Sequence, residues 1–203
     1  KELEGFSVQT LATDPDTPGW VGSIFYNSTE GVFKVVKPGG VTAGTWASGG
    51  NLNTARYYLG GQTSGTQTSG ICVGGLTTVR VGNTELYNGT SWTETTDLNS
   101  GRLGSGVGAA DNTSALVFGG QIESGPTDVN LTESWNGSTW TEVSDMANSK
   151  FGRGGFGTQT AAIASGGIPG PTIAVESWNG SAWTEVNDLN TARGNHGTCG
   201  VQT

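Results

Sequence analysis

The sequence predicts an all-β fold built from repeated four-stranded units. Three observations carry the prediction. A short phrase centred on Asn-Gly and Trp recurs at near-constant spacing, Gly-Gly pairs recur on the same beat, and no stretch of ten or more residues reads as an amphipathic helix. Gly supplies 36 of 203 residues, but on a fixed period rather than scattered, and Thr, Ser and Asn accompany it as they do in tight turns between short strands. Seven Trp belong to a chain that folds around an apolar core, not to a linker.

The phrase is Tyr87-Asn88-Gly89-Thr90-Ser91-Trp92-Thr93-Glu94. It returns as Trp135-Asn136-Gly137-Ser138-Thr139-Trp140-Thr141-Glu142 and as Trp178-Asn179-Gly180-Ser181-Ala182-Trp183-Thr184-Glu185. A partial copy ends at Trp46, so the second aromatic stands at 46, 92, 140 and 183, at intervals of 46, 48 and 43 residues. Gly74-Gly75, Gly119-Gly120 and Gly166-Gly167 each close a short apolar run. A third marker follows each Trp and ends on a cation: Arg56, Arg102, Lys150 and Arg193.

These markers convert into strands A to D. Strand A follows the cation, as in Leu103 to Ala109, and strand B is the apolar run before Gly-Gly. Strand C ends on Tyr87, Trp135 or Trp178, and strand D begins at Trp92, Trp140 or Trp183. Asn and Gly accept the positive φ of a tight turn, so C and D form a hairpin whose two aromatics face each other. Gly-Gly removes side chains where another backbone comes close. Ahead of the repeats, Ser23–Tyr26 and Val32–Val36 flank Asn27–Gly31 and predict a separate hairpin.

A four-stranded unit of this length cannot bury both faces alone, and stacking neighbours around an axis solves that. The order of cation, strand, strand-Gly-Gly, strand-aromatic and Trp-strand resembles the kelch repeat. The resemblance spans residues 45 to 203 and implies a kelch-like β-propeller of four-stranded blades at about 57–101, 103–149 and 151–192, with a partial one at 194–203. Residues 1–40 are then an N-terminal extended segment and hairpin, and 41–203 the repeat region. Three arrangements stay open: four blades with a shared closing blade to which the hairpin lends strands, part of a larger propeller, or a hairpin that serves as an attachment element.

Net charge is −8 with no basic run, which argues against phosphate contacts and nucleic acid as partner. No apolar segment approaches a membrane span, and the first residues do not read as a signal peptide. Cys72 and Cys199 make neither a disulfide framework nor a metal motif and read as small buried side chains on strands. His196 is the one histidine, too few for a copper centre of the galactose oxidase type that some kelch propellers carry. It falls on the last strand A, where a satisfied polar contact is the expectation. The acids recur by repeat: Glu85, Glu133 and Glu176; Glu94, Glu142 and Glu185; Asp97, Asp145 and Asp188. Recurrence points to pairing with Arg56, Arg102, Lys150 and Arg193 or to turn amides, not to the unique acids of a glycosidase. No catalytic residue, metal or cofactor is expected. Asn27, Asn88, Asn112, Asn130, Asn136 and Asn179 head sequons, read here as turn chemistry.

Recognition is expected where the repeats differ. The B–C loops, at 76–82, 121–130 and 168–173, share neither length nor sequence, and they emerge on the same face as the D–A segments. Arg56, Arg102, Lys150, Arg193, Gln121, Glu123, Asp128 and Ile168 are the candidate contact residues there. The wording of the repeats (Thr45 to Arg56, the Gly-Thr-Gln-Thr at 65–68 and 157–160, and Glu-Ser-Trp-Asn-Gly) resembles repeat proteins of tailed phages of aquatic bacteria, and the hairpin resembles an element of phage virion and fibre proteins. That resemblance implies a virion structural protein acting as fibre, appendage or decoration in a multi-copy assembly. Its partners would be other virion proteins or a host-surface glycan or protein. A secreted or surface-displayed bacterial carbohydrate- or protein-binding kelch-like module is the alternative, and a glycan-acting propeller enzyme a second one.

Overall fold

The computed structural model describes residues 9–13, 24–35, 48–122 and 127–200. The chain divides into two compact units, Lys1–Ser48 and Gly49–Thr203. Among the described residues every regular element is a strand, so the fold is all-β.

The first unit holds a sheet of β1 (Gln9–Leu11), β2 (Ile24–Asn27) and β3 (Val32–Val35). β2 and β3 form the hairpin that the sequence predicts, one residue displaced at its edges. Its turn is held by Asn27, whose Oδ1 accepts from the Thr29 and Glu30 amides at 3.0 and 2.9 Å. β1 runs parallel to β2, a pairing with no signature in the local sequence. Trp46 lies outside the described residues.

The second unit contains three four-stranded antiparallel meanders. Repeat 1 has β4 (Gly60–Gly61), β5 (Gly70–Val73), β6 (Thr84–Tyr87) and β7 (Trp92–Thr95). Next comes β8 (Arg102–Leu103), which belongs to a small side sheet. Repeat 2 has β9 (Gly106–Ala109), β10 (Ala115–Phe118), β13 (Thr132–Trp135) and β14 (Trp140–Val143). Its B–C loop carries β11 (Gln121–Ile122) and β12 (Thr127–Asp128). Repeat 3 has β15 (Gly154–Gly157), β16 (Ala162–Ser165), β17 (Val175–Trp178) and β18 (Trp183–Val186). The four strands expected per repeat are thus present three times.

Each C–D hairpin has the register that its turn dictates. Tyr87 faces Trp92, Trp135 faces Trp140, and Trp178 faces Trp183, with ring centroids 5.0, 5.1 and 5.5 Å apart. Such pairs add about 0.5–1.5 kcal/mol each beyond area burial. At the turn, Asn88, Asn136 and Asn179 accept two backbone amides through Oδ1, and the following Gly sits at φ of 93 to 95°.

The apolar core lies between the sheets rather than within any one of them. One cluster joins Ile71 and Val73 of repeat 1 to Val107, Val117, Trp135 and Trp140 of repeat 2. A second joins Leu116 and Phe118 of repeat 2 to Ala162, Ala164 and Trp178 of repeat 3. Neighbouring first strands touch closely: a Cβ on Gly155 would lie 2.6 Å from the Val107 nitrogen. Only Gly fits there.

Polar bonds fix the stacking. The Trp140 indole of repeat 2 donates to Thr84 Oγ1 of repeat 1 at 3.0 Å, and Trp183 of repeat 3 donates to Thr132 of repeat 2 at the same distance. Two residues after each marker cation comes a residue at positive φ: Tyr58, Gly104, Gly152 and Asn195. Their backbones form one head-to-tail row. Gly104 donates to the Tyr58 carbonyl at 2.8 Å, Gly152 to Gly104 at 2.7 Å, and Asn195 to Gly152 at 2.8 Å. The Gly-Gly pairs add a third tie, since Gly75, Gly120 and Gly167 donate at 2.9 Å to the carbonyls of Arg102, Lys150 and Arg193.

Candidate functional site

The B–C loops fold back onto the segments that enter strand A, so the two loop sets share a face. Leu76 bridges to Tyr57 and Arg80, β11 pairs with β8 and β12, and Ile168 bridges to Phe151. The marker cations lie on these entry segments, and their chemistry depends on which side chains point inward.

Arg56 and Arg102 point inward. The Arg56 guanidinium contacts the Glu85 carboxylate and donates from Nε to the Gly74 carbonyl at 2.8 Å. Arg102 Nη2 lies 2.8 Å from Glu133 Oε1, with both side chains buried. The second carboxylate oxygen is held by an asparagine: Asn53 donates its amide and side chain to Glu85 Oε2, and Asn99 does the same for Glu133. Burial alone would raise the Glu85 pKa, but the hydrogen bonds from Arg56 and Asn53 hold it below the ordinary carboxylate value. Burial lowers the Arg102 pKa, opposed by Glu133, Asp145 and Glu142. These two cations are therefore core groups. The expectation that they belong to a contact face is corrected by their complete side-chain burial.

Repeat 3 corrects the assigned pairing as well. Lys150 occupies the marker position, but its Nζ donates to the Pro169 carbonyl at 2.7 Å on the surface. Arg153, three residues later, turns in toward Glu176 at 3.7 Å. Glu176 takes the Ala147 amide at 2.7 Å, with Asn148 at the other oxygen. Arg153 was not singled out from sequence; the signal available was a second cation after Lys150. Arg193 is exposed, its Nε bonded to the Thr191 carbonyl at 3.3 Å, and no Glu pairs with it among the described residues.

Of the loop candidates, Gln121 donates to Asp128 at 3.1 Å and accepts from Arg80, which ties the two strands of that loop and links it to repeat 1. Ile168 is half-buried, in the bridge to Phe151, and precedes a cis Pro169. Glu123 lies outside the described residues. The structure thus leaves Lys150, Arg193, Gln121, Asp128 and Ile168 at or near the loop surface, spread over separate repeats. Sequence reading passed over Tyr57 and Tyr58 beside them, both exposed.

The remaining reactive groups do not assemble. His196 Nε2 lies 3.1 Å from Ser165 Oγ, while Nδ1 has no hydrogen-bond partner, so no carboxylate orients the ring among the described residues. Burial and the nearby Arg193 charge lower its pKa. No group of three His, Cys, Asp or Glu side chains able to hold a metal exists among the described residues. Cys72 lies on β5, half-buried, and burial pushes its thiol up to about 11, beyond the effects of Arg56 and Glu85. Cys199 is exposed and outside any strand, contrary to the expectation of two buried thiols. A scan against protein-family models and a search of curated proteins each find no match to this chain.

Proposed function

We propose that this chain is a non-enzymatic virion structural protein: a kelch-like β-propeller displayed on a phage particle for assembly or host-surface attachment. The observation that carries the propeller is the repeating tie between units. The same backbone row and the same indole-to-threonine bond occur at successive interfaces, so each unit is placed on the last by one operation. Repeating one operation around an axis gives a ring.

The recurring acids at Glu85, Glu133 and Glu176 are engaged in ion pairs, which supports a building role over glycan hydrolysis. The individual B–C loops are the surface on which a partner is read. The virion setting rests on the resemblance of the repeat wording and the N-terminal hairpin to phage structural proteins. Mass spectrometry of purified phage particles tests it. The chain is expected at many copies per particle, alongside capsid and tail proteins. Its absence from particles and presence in bacterial culture supernatant would favour the secreted binding module instead. Hydrolysis of host glycan by the purified chain would overturn the non-enzymatic reading.

A further inference from the structure

We infer that Tyr57 and Tyr58 form the platform of a binding site for a neutral sugar ring. The inference deepens the reading of the chain as a binding protein, by naming a site and a ligand class on the loop face.

The first observation is clustering. Among the described residues of Gly49–Thr203 the exposed large apolar side chains are Tyr57 at 55%, Tyr58 at 54%, Val79 at 49%, and Ile173 and Val186 at 41% each. Three of these five belong to the entry segment and B–C loop of repeat 1. The two tyrosine rings are in contact, centroids 5.4 Å apart and tilted by 48°. A shallow groove of about 490 Å³ runs along Tyr57, lined also by Ala55, Arg56, Leu76, Thr77 and Thr78, and Tyr58 stands outside that lining, next to Tyr57.

The second observation is backbone conformation. Tyr58 holds φ of +53°, a region that a bulky residue rarely enters. The equivalent places in the next repeats are Gly104 and Gly152, and the last is Asn195, all residue types that tolerate it. The row of backbone bonds needs the conformation but not the ring. A tyrosine kept at a glycine position is a strained residue whose side chain is put to use. The preceding residue differs in the same sense: its counterpart Leu103 is buried, whereas Tyr57 faces solvent.

The chemistry selects the ligand. Tyrosine faces carry the negative side of the ring quadrupole, which attracts the weakly positive C–H groups on one face of a pyranose. The hydroxyls of Tyr57, Tyr58 and Thr78 make no hydrogen bond among the described residues, leaving donors and acceptors at the rim for sugar hydroxyls. Arg56 borders the groove, but its side chain is fully buried against Glu85 and offers no free charge there, and the chain carries −8 overall. Charge therefore favours a neutral ring over a uronic or sialic acid.

Titration of the full chain with cellohexaose, mannohexaose, maltohexaose and chitohexaose, followed by calorimetry and NMR, tests this, with oligogalacturonate as the acidic control. At least one neutral hexasaccharide is expected to bind and to shift the resonances of residues 56–58 and 76–79. Tyr57→Ala and Tyr58→Gly are each expected to weaken it about ten-fold, about 1.4 kcal/mol. Tyr58→Gly restores the residue that repeats 2 and 3 use, so its melting temperature should hold or rise. Tyr58→Asn provides a second variant suited to the same backbone. Silence with all four neutral sugars, equal binding of the acidic one, or undiminished binding by both tyrosine variants would overturn the inference. Presence of the chain in particles is measured separately, so a sugar-silent chain found in virions sinks this site and leaves the virion reading standing.

Discussion

Repeats 2 and 3 bury the same ion pair by different routes. In repeat 2 the guanidinium comes from Arg102 at the marker position, 2.8 Å from Glu133, and Asn99 holds the other carboxylate oxygen. In repeat 3 the marker is Lys150, which stays at the surface, and Arg153 reaches Glu176 from three residues further along, at 3.7 Å. What both repeats keep at the marker position is a backbone carbonyl, that of Arg102 or Lys150, accepting from the second Gly-Gly amide of the repeat before it. The difference teaches that one sequence position serves two separable needs. The carbonyl ties a unit to the one before it, and the side chain neutralises the buried acid.

The largest effect that tests the comparison is removal of the carboxylate. Glu133→Ala leaves Arg102 buried without a counter-charge and is expected to cost about 3–5 kcal/mol in urea unfolding. Glu176→Ala should cost less, since that carboxylate stands further from its arginine and is held largely by backbone amides. Equal losses would break the distinction. The cations sharpen it: Arg153→Ala should be strongly destabilising, while Lys150→Ala should stay within about 0.5 kcal/mol. A reversed order would return the pairing to the marker position.

The indole bonds give an intermediate effect. Trp140→Phe leaves the buried Thr84 hydroxyl without its donor and should cost about 1–3 kcal/mol beyond the lost ring area. Trp92 is its counterpart in repeat 1, and its indole nitrogen has no partner among the described residues, so Trp92→Phe should lack that penalty. Thermal melts of the two variants separate the cases.

Acid gives a third and smaller test. The folded pKa of Glu85 is depressed below its unfolded value of about 4.3. Its contribution is therefore complete above the unfolded value and is lost as pH falls through the folded one. Urea midpoints should hold between pH 7 and about 5, then fall, and Glu85→Gln should flatten that fall. Smallest is the thiol contrast: at pH 8 an added disulfide reagent should label exposed Cys199 promptly and Cys72 far more slowly, since Cys72 is half-buried and its burial raises the thiol pKa.

The strands and turns were legible in the sequence because their causes are local. Asn-Gly with two flanking aromatics contains its own turn, register and cross-strand pair. Gly-Gly was legible as a close approach, although the partner carbonyl on the next repeat was not. The candidate contact residues were less legible. A row of cations looks alike whether it faces water or a buried carboxylate, and Arg102 shows its direction only once Glu133 is folded beneath it. Arg153 was hidden by its offset from the marker. Tyr58 was hidden because the positive φ that makes it unusual belongs to the row joining the repeats, and no property of residues 56 to 60 alone reports it.

Amide hydrogen exchange at the positive-φ residues tests the interlock most directly. Gly104 and Gly152 each donate to the preceding repeat, whereas the Tyr58 amide has no acceptor among the described residues. Gly104 and Gly152 should exchange slowly, near the rate set by global unfolding, and Tyr58 should exchange orders of magnitude faster. Exchange at Gly104 and Gly152 as fast as at Tyr58 would contradict a stack of units tied by that row.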